Sequence, residues 1–118
     1  MEKTLQEMTE SVVQFCTDRD WDQFHGPKDL AIGLVTESSE LLQHFRFLDE
    51  QRAQDLLQDS DKREAVGEEL ADILFFLLRF SQRNKFDLTQ AFYDKLQKNT
   101  AKYPIEKSKG RFEKYTDL

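Results

Sequence analysis

An all-α helix bundle of four or five helices is the fold this sequence predicts, and three observations carry that expectation. Its 118 residues include only four Gly and two Pro, whereas Leu, Gln, Lys and Glu, which helices accept readily, are abundant. Apolar residues recur at helical spacing, as in Leu5, Met8, Val12, Phe15 and Cys16, rather than in alternation. No repeat of fixed period and no low-complexity tract divides the chain, so residues 1–118 read as a single domain. A chain of this length can bury roughly two-thirds of its unfolded surface.

The elements follow from caps and breakers. Thr4-Leu-Gln-Glu7 has the form of a capping box and opens a helix that ends near Asp18. Arg19 to Pro27 is polar with Trp21 and Phe24 embedded and is closed by Gly26-Pro27, so it reads as an ordered loop. Pro27 suits the first turn of a second helix, which should run to about Leu48. Asp49 to Asp61 is polar apart from Leu56 and Leu57 and predicts a short helical piece or a crossover. A further helix spans about Lys62 to Arg83, and Asn84 to Asp87 turns the chain, with Asp87 as N-cap, into a last helix from Leu88 to Tyr103. Pro104 stops that helix.

The helix from Lys62 to Arg83 carries a stripe of Val66, Ile73, Phe76, Leu77 and Phe80, yet Leu70, Leu74, Phe75 and Leu78 occupy its other faces. A helix apolar nearly all round must be covered on every side. Four or five helices in one chain can hardly supply that cover, so a dimer or tetramer is expected.

Charge and cysteine usage narrow the function classes. A net charge of −6 argues against a general nucleic-acid binder, which needs a basic face to neutralise phosphates. Cys16 stands alone, which leaves no disulfide framework and no paired-cysteine metal motif. Met1 to Thr4 begins no apolar signal core, and the run Ile73 to Leu78 is far too short for a membrane span. The expectation is a soluble, untargeted, cytoplasmic protein.

Two acidic motifs interrupt the apolar helices: Glu37-Ser-Ser-Glu40 and Glu69-Leu-Ala-Asp72. At about 100° per residue, Leu30, Leu34, Leu41, Phe45 and Leu48 project within about 80° of Glu37, and Glu40 lies about 60° to its other side. Glu69 and Asp72 border the second stripe in the same way. Carboxylates are seldom buried unless paired or metal-bound, so two such pairs on core-facing edges call for a shared counter-charge. A four-carboxylate site without His or Cys ligands suits a hard cation, and Mg²⁺ accepts carboxylates together with substrate phosphates. A di-iron bundle would need Glu-x-x-His, whereas His44 lies four residues after Glu40. Metal-assisted hydrolysis of a nucleoside triphosphate is the chemistry such a set predicts.

Other residues fit that chemistry. Lys95, Asn99 and Lys102 share a helix face with Phe92 within about 60°, and Lys109 and Arg111 follow in the tail, where anionic phosphates could bind. Trp21, Phe24 and His25, beside Phe47 and Phe76, could form a slot in which a base stacks. A solvated basic face and a hydrophobic plug at the bundle end are the plainer readings of the same residues.

The pattern Glu37-x-x-Glu40 followed by Glu69-x-x-Asp72 resembles the E-x-x-E and E-x-x-D signature of the MazG-like all-α nucleoside triphosphate pyrophosphatases. Arg19-Asp-Trp-Asp-Gln-Phe-His25, Glu68-Glu-Leu-Ala-Asp72, Lys95-x-x-x-Asn99, Tyr103-Pro104 and Lys114-Tyr-Thr-Asp-Leu118 are similar to the dCTP pyrophosphatase branch. The resemblance implies a dimer or dimer of dimers that hydrolyses a dNTP to the monophosphate and diphosphate with Mg²⁺, as nucleotide-pool house-cleaning. It assigns Glu37, Glu40, Glu69 and Asp72 as metal ligands and catalytic residues. Trp21, Gln23, Phe24, His25, Phe47 and Phe76 become the base and sugar pocket, and Lys95, Asn99, Lys102 and Lys109 the phosphate contacts. Phe47, Phe76 and Val12 stand where close relatives carry Trp, Tyr and His. Selection built on buried polar pairing is easily lost, so dATP or modified pyrimidines join dCTP as expected substrates. A non-catalytic nucleotide sensor and a helical interaction module stay open as alternatives.

Overall fold

A computed structural model describes residues 2–118, and every regular element among them is helical. The chain divides into two units, one ending at Lys85 and the other comprising Phe86–Leu118.

In the first unit, α1 (Leu5–Asp18) starts at Thr4, whose Oγ1 accepts from the Glu7 backbone N–H at 3.1 Å. The Glu7 side chain pairs instead with Lys3, at 3.8 Å. A single 3₁₀ turn over Asp22–Phe24 leads to α2 (Pro27–Gln43), with Pro27 in its first turn. The polar stretch that follows holds a real helix, α3 (Glu50–Leu56), capped by Asp49, which accepts from the Arg52 N–H at 2.8 Å. Asp59 caps α4 (Ser60–Arg83) in the same way.

Helix α4 is the centre of this unit and packs against both α2 and α1. Among the described residues the buried apolar side chains are Val12 and Cys16 from α1, Leu30 from α2, and Val66 and Leu78 from α4. Gly33 sets how closely α2 approaches α4: a Cβ there would stand within 2.7 Å of Cζ of the Phe76 ring. Only a residue without a side chain allows that contact, which brings the acidic edges of the two helices together.

One boundary corrects the sequence reading. Helix α2 ends at Gln43, not near Leu48, because His44 to Phe47 wind into turns and Phe47 takes a left-handed backbone with φ 70°. No Gly or Pro marks that reversal in the sequence. Phe45 and Leu48 therefore do not extend the Glu37 stripe of α2 as a continuous helix would have placed them.

The second unit comprises α5 (Leu88–Lys102), α6 (Ile105–Ser108) and a 3₁₀ turn over Tyr115–Asp117. Asp87 caps α5, accepting from the Gln90 N–H at 3.0 Å. No helix among the described residues is long and apolar enough to cross a membrane.

Candidate active site

Helices α2 and α4 each contribute one E-x-x-E/D motif, and their packing draws the motifs together. Carboxylate oxygens of Glu37, Glu40 and Glu69 all lie within 4.8 Å of one another. Asp72, expected as a fourth member, stands outside this group. It lines the neighbouring cavity, and its charge still acts on Glu37.

The electrostatics of the cluster are unbalanced. Glu37 Oε2 and Glu69 Oε2 are buried with no hydrogen-bond partner, a condition that usually costs free energy. Burial, followed by Glu40 and then the charges of Asp72 and Glu69, pushes the Glu37 carboxyl up to about 7 from its usual 4.5. Glu69 is raised too, by burial and by Glu40, against a lowering from His44. His44 Nε2 lies 3.6 Å from Glu69 Oε1. It is a site neighbour that sequence reasoning set aside, because its spacing from Glu40 matched no metal motif. A divalent cation would satisfy both orphaned oxygens and cancel the repulsion, so the donor set fits a hard metal ion.

Beside the acids lies a cavity of about 490 Å³ lined by Ser11, Val12, Phe15, Trp21, Asp72, Phe75 and Phe76. Its wall is a train of edge-to-face rings: Trp21 to Phe15 at 5.5 Å, Phe15 to Phe75 at 5.8 Å and Phe75 to Phe76 at 5.5 Å between centroids. Such rings offer stacking faces to a planar ligand. Trp21 and Phe76 are thus brought together as the sequence suggested, with Phe15 and Phe75 as unforeseen companions. Phe15 lay on the apolar stripe of the first helix and Phe75 on a face of the Lys62 to Arg83 helix away from its main stripe, and both positions served equally well as packing surface.

The other expected pocket residues lie elsewhere. Phe24 is exposed and does not line the cavity, and Phe47 is 86% exposed with the Arg46 guanidinium 4.5 Å from its ring. Gln23 Nε2 donates to the Asp20 carbonyl at 3.1 Å. His25 turns toward α4, where its Nδ1 accepts from Arg79 Nε at 2.8 Å. In the second unit Lys95 and Lys109 are exposed, and Asn99 is half-buried, its carbonyl accepting from the Tyr103 N–H. Lys102 Nζ sits 4.9 Å over the Tyr115 ring.

Arg79 is the largest omission of the sequence reading. It is 1% exposed, and besides His25 it binds Asp22 and, at 2.8 Å, Gln82 Oε1. Its signal was a lone cation within Leu77-Leu78-Arg79-Phe80, which has meaning only once a partner is known.

Comparison with known proteins agrees with this geometry. A model of the MazG-like family matches residues 32–118, a span that holds all four acids. dCTP pyrophosphatase 1 of Bos taurus is 37% identical over 117 residues, covering 99% of this chain and 69% of the relative. The Mus musculus protein of the same name is 36% identical over the same shares. The crystal structure of a pyrophosphatase from Archaeoglobus fulgidus superposes with a TM-score of 0.81 at 28% identity, covering 88% of this chain and 95% of that one. On its helices, its acidic motifs and these relatives, the chain belongs to the MazG-like family, in the dCTP pyrophosphatase branch.

Proposed function

We propose that this nucleoside triphosphate pyrophosphatase is a Mg²⁺-dependent dNTP pyrophosphohydrolase that converts dNTP and water to dNMP and diphosphate, with dCTP as its leading substrate. The observation that carries this reading is the carboxylate cluster with two orphaned buried oxygens beside an aromatic cavity. Glu37, Glu40 and Glu69, joined by Asp72, would hold Mg²⁺, which when bound neutralises triphosphate charge and makes water a better nucleophile. Trp21, Phe15, Phe75 and Phe76 receive the base, while Asp72 links their cavity to the acids. The family resemblance assigns Lys95, Asn99, Lys102 and Lys109 to the triphosphate. The cavity lining is mostly apolar and aromatic, which supports tolerance for dATP or modified pyrimidines, since such walls discriminate weakly between bases. The reading places the enzyme in nucleotide-pool house-cleaning.

We also propose a homo-oligomer, a dimer of dimers. Ile32, Val35 and Leu42 on α2 and Leu70 on α4 are 53%, 68%, 61% and 53% exposed, more apolar surface on the two site helices than scattered single residues would explain. Sedimentation analysis reads the assembly directly.

The functional test is diphosphate release from the four ordinary dNTPs and dUTP, with Mg²⁺ or with EDTA, beside Glu40→Gln. Release that needs Mg²⁺, is lost in the variant and is strongest for dCTP supports the full reading. Metal-dependent binding without release would point to a nucleotide sensor, and no response to metal or nucleotide would overturn the site.

A further inference from the structure

Between α1 and α2 the loop Arg19–Gly26 carries Trp21 to the rim of the aromatic cavity, yet none of its residues is buried. Apart from Trp21, which is 37% exposed and packs on Phe15, hydrophobic burial therefore does little to hold it. Its own polar bonds are local: the Trp21 N–H donates to the Cys16 carbonyl at 3.0 Å, and Gln23 donates to Asp20. What ties the loop to α4 is Arg79. Its Nε donates to His25 Nδ1 at 2.8 Å, its Nη2 donates to Asp22 Oδ1, and its Nη1 is held by Gln82 Oε1 at 2.8 Å. Arg83 adds a bond to the Asp22 carbonyl at 3.2 Å.

An arginine 1% exposed in the middle of an apolar helical run is costly unless its donors are partnered. Here all three kinds of guanidinium nitrogen have an acceptor. The planar fork fixes direction as well as distance, so Asp22 and His25 are held in one arrangement. Trp21 immediately precedes Asp22, and its ring meets His25 edge-on with centroids 6.0 Å apart. Locking these two neighbours leaves the indole little freedom, and it stands against Phe15 at the cavity wall.

We infer that Arg79 is a positioning residue: by clamping Asp22 and His25 to α4 it holds the Trp21 wall of the cavity in place and thereby sets how tightly and how selectively a nucleobase is bound. The inference rests on the functional reading above for the identity of the ligand, but not for the clamp itself. Neither the acids nor the reacting phosphate need touch Arg79. Its removal should act on binding of the base and leave the metal cluster alone.

Trp21 is the only tryptophan, so its fluorescence reports the loop without interference. The decisive experiment compares wild type with Arg79→Met, measuring acrylamide quenching of Trp21, KM and kcat for dCTP and the other dNTPs, and the Mg²⁺-induced shift in Tm. The expected result is stronger quenching, a KM for dCTP raised about tenfold with kcat within about twofold, narrowed preference among dNTPs, and an unchanged Mg²⁺ shift. Unchanged quenching and KM in a folded Arg79→Met would overturn the inference. So would a fall in kcat accompanied by loss of the Mg²⁺ shift, because Arg79 would then act through the acids. If Arg79→Met does not fold, Asp22→Asn, which alters the exposed partner, is read by the same criteria. If wild type releases no diphosphate from any dNTP, the functional reading fails by itself, and Trp21 quenching alone then upholds or overturns the clamp.

Discussion

About two turns of α4 separate Asp72 from Arg79, and the charged groups on either side of that interval are arranged in opposite ways. Toward the N-terminal side, three carboxylates crowd together and two of their buried oxygens have no partner. Toward the C-terminal side, a cation far more deeply buried has an acceptor at Nε, Nη1 and Nη2. A charge cluster that satisfies itself serves the fold, whereas one that leaves buried acceptors open and repels itself is completed by something from outside. The same helix thus carries a structural clamp and a site, and they can be told apart by what their removal does.

The sharpest contrast should come from neutralising an acid. Glu37→Gln is expected to lower the rate of diphosphate release by on the order of 100-fold or more, as loss of metal-based charge stabilisation does. In EDTA the variant should melt no lower than wild type, since it removes repulsion, and its Mg²⁺-induced Tm shift should vanish. A strongly lowered Tm in EDTA would show that the acids serve stability after all and would erase the distinction.

Arg79→Ala should show the opposite signature. Removing a buried cation bonded at all three of its nitrogens, together with its stem, is expected to cost about 2–4 kcal/mol, below the upper end for broken buried pairs because Asp22 can regain water. Denaturant melts in EDTA and in Mg²⁺ should show the same loss, with the response to the metal kept.

Gly33→Ala tests the contact that brings the acids together. Alanine ordinarily favours a helix over glycine by up to about 1 kcal/mol, but here its Cβ collides with the Phe76 ring, and overpacking of that kind costs about 1–3 kcal/mol. Net destabilisation together with weaker Mg²⁺ binding is expected. Phe76→Leu in the same chain should recover stability, and if it does not, the collision is not the cause.

How much of this was legible in the sequence depended on whether a feature is local. The starts at Thr4 and Asp87, which side chains cap, the Pro27 start and the helical stripes short of Phe45 and Leu48 are written within a few residues, and the structure keeps them. Glu37, Glu40 and Glu69 could be brought together on paper because helical geometry fixes each pair, and the stripes say which faces meet. The end of α2 was misjudged because Phe47 reverses the chain without a glycine to mark it. Arg79 was invisible for a different reason: its partners Asp22 and His25 lie more than fifty residues away, and nothing local says that a loop will fold onto that turn of α4. His44 similarly acquires meaning only from Glu69 across the helix pair.

The smallest effect separates the two clusters by pH. Glu37 titrates near 7 in the folded chain against about 4.5 when unfolded, so between those values the native state holds the extra proton. Unfolding releases it, and stability in EDTA should fall as pH rises through this window and level off above it. His25 has the reverse sign. Burial and then the charges of Arg79 and Arg83, opposed by Asp22, hold its pKa below 6.5, so its contribution is lost on acidification and recovered as pH approaches 6.5. In wild type the two slopes oppose each other. Glu37→Gln removes its part of the falling slope and leaves the part that the raised Glu69 carboxyl contributes, so its melting temperature in EDTA should shift upward with pH relative to wild type up to about 6.5 if the Arg79 cluster is the self-satisfied one. Added Mg²⁺ competes with the proton at Glu37 in wild type, so its stabilising effect should grow across the same window. A Mg²⁺ effect independent of pH would mean that the protonated carboxyl is not the group the metal displaces.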